Sequence, residues 1–211
     1  MKITKFGHAC LLIEEDDVTM LIDPGTFSSG FEDLEGIAAV LYTHKHADHY
    51  DPEALTKVLK TNPGARVIAD IGTTGELKAA GFDVETARAG DGFKIKGVTV
   101  EAIGSDHAVM HPDWPVDPNV GYLVAGRLFH AGDNYVVPEQ PVEILAFASV
   151  APWSKVSEAA EYVRAVSPKV ALPVHDAITT APQMYVSMIR GMTQGHDVQI
   201  RELADGETIE L

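Results

Sequence analysis

The sequence predicts an α/β sandwich built from two β-rich halves, each closed by helices. Three observations carry this expectation. Short apolar or alternating segments of strand length are interleaved with segments of helical period along the whole chain. No low-complexity stretch or linker interrupts that order, and 211 residues suffice for one well-buried domain, expected to span residues 1–211. The halves also echo each other: Leu11–Asp23 and Tyr122–Asp133 both read as strand, tight turn, strand and then aspartate.

Strands are expected near Ile3–Phe6, Ala9–Glu14 and Val18–Ile22, the last two joined by a turn at Glu15-Asp16-Asp17. Ile37–Tyr42 is a continuous apolar run of the kind buried on both faces. Asp51 can cap the next helix, and Pro52 suits its first position; that helix should fade by Thr61–Gly64. Arg66–Ala69 reads as a strand and Thr74–Ala80 as a helix closed by Gly81. Asp83–Ala87, Gly92–Ile95 and Val98–Ile103 read as strands. Residues 104–119, with three prolines and two histidines, read as a structured loop. A hairpin, Tyr122–Val124 and Leu128–His130, turns at Ala125-Gly126-Arg127. Ile144–Ser149 is a buried strand, and Ser154–Val166 a helix with Val156, Ala160, Val163 and Val166 on one face. Val170–Val174 is a strand, Pro182–Met192 a helix, and two short strands end the chain.

Composition narrows the function classes. A formal net charge of -15, from 16 basic and 31 acidic residues, argues against a nucleic-acid partner, whose phosphates are held by Lys and Arg. The single cysteine, Cys10, allows no intrachain disulfide and fits a reducing compartment. It reads as a small buried residue rather than a nucleophile. The longest apolar stretch, about Ile144 to Pro152, is too short for a membrane span of about 20 residues. The apolar run after Lys2 and Lys5 is too short for a signal-peptide core. The expectation is a cytoplasmic protein with a small-molecule substrate.

Five predicted strands deliver an ionisable side chain at the carboxyl end. Val18–Ile22 leads to Asp23, and Ile37–Tyr42 to His44, His46, Asp48 and His49. Val98–Ile103 leads to Asp106 and His107, Leu128–His130 to Asp133, and Val170–Val174 to His175. Sites in α/β proteins collect outside such strand ends. Residues two apart do not share a helix face but do point the same way on a strand end or tight loop. His44 and His46 can therefore hold one ion while Asp48 and His49 turn to another. Chance explains a lone surface histidine. It explains poorly three histidines and an aspartate within six residues directly after a buried strand. Imidazole and carboxylate donors suit zinc, and also iron or manganese; the lack of cysteine ligands favours a catalytic site over a closed structural one.

The chain resembles the metallo-β-lactamase superfamily. The resemblance runs in order through Gly7-His8-Ala9-Cys10, Leu21-Ile22-Asp23-Pro24, Thr43-His44-Lys45-His46-Ala47-Asp48-His49, His130-Ala131-Gly132-Asp133-Asn134 and Pro173-Val174-His175. It is most similar to small bacterial hydrolases without insertions, the group that includes the ascorbate-6-phosphate lactonase-like proteins. This resemblance implies a four-layer αββα sandwich holding two divalent ions, with zinc first and manganese or iron as alternatives. It implies that His44, His46 and His107 hold one ion, that Asp48, His49 and His175 hold the other, and that Asp133 bridges them. Asp23 looks like the acid that orients the ligand loop, and His8 sits where relatives carry a histidine near the site, with an open role.

His107 and His111 share one loop, and only one should be the third histidine; His107 follows its strand more closely and is chosen. His111 and Trp153 are candidates for the substrate pocket, although Trp153 can equally pack under the next helix. The expected activity is hydrolysis of a small ester, lactone or phosphodiester, neutral or anionic, by a water that two cations acidify, with Asp48 or a metal-bound water managing protons. The alternatives are iron-dependent redox chemistry, an RNA-processing nuclease and a non-catalytic metal-binding protein. Nothing matches a nucleophile elbow, a phosphate-binding loop or a dinucleotide-binding turn.

Overall fold

A computed structural model covers residues 1–211. The N-terminal half supplies strands β1 (Lys2–Lys5), β2 (Leu11–Glu15), β3 (Val18–Ile22), β4 (Ile37–Tyr42), β5 (Arg66–Ala69) and β6 (Glu85–Thr86). The second half supplies β7 (Gly92–Ile95), β8 (Val98–Ile103), β9 (Gly121–Val124), β10 (Leu128–His130), β11 (Ile144–Ala148), β12 (Val170–Val174) and β13 (Gln199–Ile200). The last strand, β14 (Thr208–Glu210), returns to pair with β1, so the sheets are ordered β14-β1-β2-β3-β4-β5-β6 and β13-β12-β11-β10-β9-β8-β7. Helices α1 (Pro52–Thr61) and α2 (Ile71–Ala79) belong to the first half, α3 (Val156–Val166) and α4 (Pro182–Met192) to the second.

Burial gives four layers. Ile3, Leu11, Ile13, Met20, Ile22 and Leu41 pack against Val100, Tyr122, Val124, Leu128, Ile144 and Leu172 between the sheets. The alternate residues of the first sheet, Leu12, Leu21, Val40 and Tyr42, pack against Leu55 and Val58 of α1 and Leu77 of α2. Leu123, Phe129, Leu145 and Phe147 of the second sheet meet Ala160 and Val163 of α3 and Ile189 of α4. The period-two alternation of strand side chains thus divides each sheet between an inner core and a helix-covered face. This is the αββα sandwich expected.

The internal echo is real topology. In each sheet an antiparallel meander (β1-β2-β3; β7-β8-β9-β10) gives way to parallel pairing, at β3 with β4 and at β10 with β11. The hairpins β2-β3 and β9-β10 turn through paired left-handed residues, Asp16 and Asp17 in one, Ala125 and Gly126 in the other. Asp23 and Asp133 follow the strands at which each sheet changes from antiparallel to parallel.

Small differences from expectation have local causes. Helix α2 begins at Ile71 and not Thr74, because the Asp70 carboxylate accepts from the Gly72 and Thr73 N–H groups and caps it earlier. β2 starts at Leu11; Gly7–Cys10 is irregular, closed by a bond from Phe6 N–H to the Cys10 carbonyl. α3 starts at Val156 and not Ser154, with Glu158 accepting from the Lys155 N–H. No helix is long and apolar enough to cross a membrane.

Candidate metal centre

The loop after β4 folds back on itself: the His49 and Tyr50 N–H groups both donate to the His46 carbonyl, and Thr26 N–H donates to Ala47. Gly25 lies directly beneath this turn. A Cβ at that position would overlap the Asp48 carbonyl and His49 nitrogen, so Asp23-Pro24-Gly25 and the histidine cluster fit only with a glycine between them. The bond from Val120 N–H to the Thr43 carbonyl, and the Tyr122 hydroxyl donating to the Tyr42 carbonyl, fix the end of β4 against the second sheet.

Two groups of ligand atoms result, each with its atoms within 4.8 Å of one another: His44, His46, His107 and Asp133, and His8, Asp48, His49 and His175. Asp133 touches both, with Oδ1 3.1 Å from His49 Nε2 and Oδ2 3.4 Å from His107 Nε2 and 3.2 Å from His175 Nε2. The seven residues taken from the sequence as ligands therefore converge, and His8 joins them. His107 is brought in and His111 is not. His107 N–H donates to the Asp117 carbonyl at the pinched base of the loop, whereas His111 lies farther out, 57% exposed and 3.8 Å from Asp113. Trp153 reaches the site: its indole N–H donates to Asp133 Oδ2 at 2.9 Å, and its ring lies 6.0 Å from that of His107.

Hydrogen bonding fixes which ring nitrogen each histidine presents. Asp23 Oδ2 accepts the Thr43 hydroxyl hydrogen, so the same hydroxyl oxygen accepts from His44 Nδ1 at 3.0 Å. His49 Nδ1 donates to Asp23 Oδ2 at 2.7 Å, His107 Nδ1 to the Ala108 carbonyl at 2.6 Å, and His175 Nδ1 to the Val150 carbonyl at 2.8 Å. In all four rings the Nε2 lone pair is left buried with no hydrogen-bond partner, as is Asp133 Oδ1. Buried polar atoms are rarely orphaned, and five together ask for a missing partner with positive charge. His46 is the mirror case. Its Nε2 donates to Asp117 Oδ2 at 3.2 Å, which leaves Nδ1 as the free donor atom. The set of imidazole nitrogens and carboxylate oxygens, each held by an outer partner, fits divalent metal ions.

The electrostatics agree. Burial keeps His44 neutral by pushing its pKa well below the ordinary value. Burial opposes charge on His49 and His175, but the surrounding carboxylates together outweigh it: Asp133 and Asp23 raise His49 strongly, and Asp133 and Asp48 raise His175 to about 9. Asp133 and Asp48 pay against burial and are still held well below the usual carboxylate range by these histidines. With no metal bound, a second proton on His49 or His175 would take the Nε2 position that a cation otherwise fills. Cys10 is fully buried, and burial pushes its thiol up, so it is not a nucleophile.

Two support residues escaped the sequence reading. Asp117 holds His46 through one oxygen and pairs with Lys45 at 2.8 Å through the other. Thr43 relays Asp23 to His44. Asp117 lies in the proline-rich loop with no spacing to mark it; Thr43 adjoined the cluster and was readable only as part of it.

Comparison with known proteins adds the family. A beta-lactamase superfamily domain matches residues 2–175. A protein of Mycobacterium tuberculosis is 43% identical over 200 residues, covering 92% of this chain and 93% of the relative. A UPF0173 metal-dependent hydrolase of Methanopyrus kandleri is 28% identical over 237 aligned residues, covering all of both chains. Igni18, a metallo hydrolase from Ignicoccus hospitalis, superposes with a TM-score of 0.77 at 22% identity, over 99% of this chain and 97% of its own, a likeness of fold. With the matched segment reaching from β1 to His175 and the fold and ligand groups in place, the chain belongs to the metallo-β-lactamase superfamily.

Proposed function

We propose that this protein is a metal-dependent hydrolase with a two-ion centre. His44 Nε2, His46 Nδ1 and His107 Nε2 hold one ion, His49 Nε2, His175 Nε2 and Asp48 hold the other, and Asp133 lies between them. The observation that carries this reading is the set of four buried, unpartnered Nε2 lone pairs converging on one carboxylate. Zinc is the first choice for such donors, with manganese and iron as the competitors. When bound, paired divalent ions acidify a water so that it acts as a nucleophile near neutral pH.

The chain's own groups do the rest. Asp23 and Asp117 fix the orientation of His49 and His46. Trp153 holds the plane of Asp133. Asp48 is the more accessible of the two ligand carboxylates, 22% exposed against 4% for Asp133. Its Oδ2 is engaged by His8 and His175, so Oδ1 is the oxygen placed to take and return a proton at the reacting centre. Asp23 adds a buried carboxylate behind the two ligand carboxylates, making the centre less positive than its ligand set alone. Lys45, the cation of the cluster, is already paired with Asp117. Uncharged acyl centres, in esters, lactones or thioesters, suit that field better than strongly anionic substrates.

The test is metal analysis of protein purified without added metal, followed by assay on lactones, β-lactams, thioesters and phosphodiesters before and after chelation. Two ions per chain and hydrolysis that chelation abolishes and metal restores are expected. Equal rates in stripped and loaded protein would sink the proposal. Bound iron with oxygen consumption and no hydrolysis would favour redox chemistry at the same donors. With a net charge of -15, no retention on RNA at moderate salt is expected.

A further inference from the structure

His8 is completely buried within the second ligand group, yet it differs from every other histidine there. The Ala177 main-chain N–H donates to His8 Nδ1 at 3.1 Å. A backbone amide can only donate, so Nδ1 is the acceptor and the hydrogen of the neutral ring sits on Nε2. That nitrogen lies 3.1 Å from Asp48 Oδ2 and donates to it. A further main-chain bond, from His175 N–H to the His8 carbonyl at 2.8 Å, ties the residue to the same loop. His44, His49, His107 and His175 direct the Nδ1 hydrogen to an outer partner and have no hydrogen-bond partner at Nε2; His8 has the opposite arrangement and is bonded at both nitrogens. His130 is another histidine satisfied on both nitrogens, with Nδ1 accepting from Gly132 N–H and Nε2 donating to the Ala9 carbonyl, but no ligand carboxylate is among its partners.

We propose that His8 is a positioning residue, a fixed Nε2–H donor to Asp48, and not a ligand of the second ion. The proposal rests on the two-ion reading above. Its consequence is an open coordination position. Asp48, His49, His175 and Asp133 would supply four protein donors, and a zinc ion at a catalytic site can still take a further donor in the transition state. A fifth protein donor at His8 would fill that place and close the centre. Ligation through Nε2 would require the ring either to give up its last proton or to break from Ala177 N–H. The Ala177 N–H on Nδ1 opposes the second, and the first asks a neutral imidazole to lose its only N–H hydrogen.

The test reads ring protonation and bound metal, not turnover. In the zinc-loaded wild-type protein, long-range proton–nitrogen correlation should show hydrogen on His8 Nε2 and none on Nδ1, and the reverse on His49 and His175. A His8 Nε2 without hydrogen overturns the proposal. Cobalt titration gives the second arm. His8→Gln, whose amide N–H falls near the Nε2 position, should retain the second cobalt ion within about threefold with unchanged visible bands, while His8→Ala weakens it roughly 10- to 100-fold and spares the first. Equal loss in both variants, with altered bands in His8→Gln, also overturns it. If the wild type binds fewer than two ions, the two-ion reading has failed, and the position of the His8 hydrogen still decides the role of that ring.

Discussion

The first ligand group takes His44 and His46 from one turn after β4 and meets His107 and Asp133 from the loops after β8 and β10, the strands on either side of β9 in the other sheet. The second takes Asp48 and His49 from that same turn, but completes itself with His175 near the far end of the chain and is braced by His8 near its start. Its supports include two non-glycine residues in the left-handed region, Asp23 at φ 50° and His175 at φ 64°. Such residues cost about 1–3 kcal/mol each and persist where surrounding bonds overdetermine them. Asp23 is held by the Thr43 N–H and hydroxyl and by His49; His175 is held through its own N–H by His8. Each group takes two members from the turn after β4 and two from elsewhere, but the first spans residues 44 to 133 and the second residues 8 to 175, so they should fail differently.

Asp133→Ala removes the contact common to both groups and is expected to abolish binding of at least one ion and all hydrolysis, read by metal content and activity. Gly25→Ala forces a methyl into the Asp48 carbonyl and should destabilise the protein by roughly 3 kcal/mol, checked by denaturant unfolding. If it lowers affinity for the second ion no more than for the first, the distinction between the groups is wrong. Asp23→Asn places an amide against three donors. It should weaken the second ion by roughly 10- to 100-fold, and the first less, because Thr43 still reaches His44.

The pH dependence of the metal-free protein sharpens the comparison further. His175 has a folded-state pKa of about 9, raised by Asp133 against burial, above the roughly 6.5 of an unfolded histidine. Its pairing therefore stabilises the fold fully below about pH 6.5 and is lost as pH rises through about 9. In chelator the melting temperature should fall across that window. Bound ions should flatten the dependence, and metal uptake should tighten with pH because it displaces the proton. A flat profile in chelator would show that His175 is not carrying that proton. The smallest effects are expected at the rim. Trp153→Phe loses one N–H to Asp133 and should lower kcat several-fold, whereas His111→Ala should leave both ions and the fold unchanged.

What was legible in the sequence follows the same division. The candidate ligands could be read because each stands just after a strand whose apolar run marks it, and His44–His49 concentrates four of them. His107 could be preferred to His111 by proximity to β8, but what brings its ring to the other candidates is the clamp formed by Asp117 and by the bridge between Asp106 and Pro118, which no spacing reveals. The capping of α2 by Asp70 was missed because Ile71-Gly72 reads poorly as helix; the carboxylate overrides propensity there. Asp117, and the bond from Ala177 to His8, join residues distant in sequence. They exist only once both sheets have packed.

The left-handed turn at His175 also bears on how the protein comes apart. An ion held jointly by Asp48, His49 and His175, as proposed, would act as a cross-link, tying the first quarter of the chain to its last strands, and clips that close long loops restrict the unfolded chain most. Chelation should therefore remove mechanical closure as well as chemistry. The segment from β12 to α4 should be the first to exchange its amide hydrogens when metal is withdrawn, while the turn at His44–His46, closed by its own bonds, stays protected.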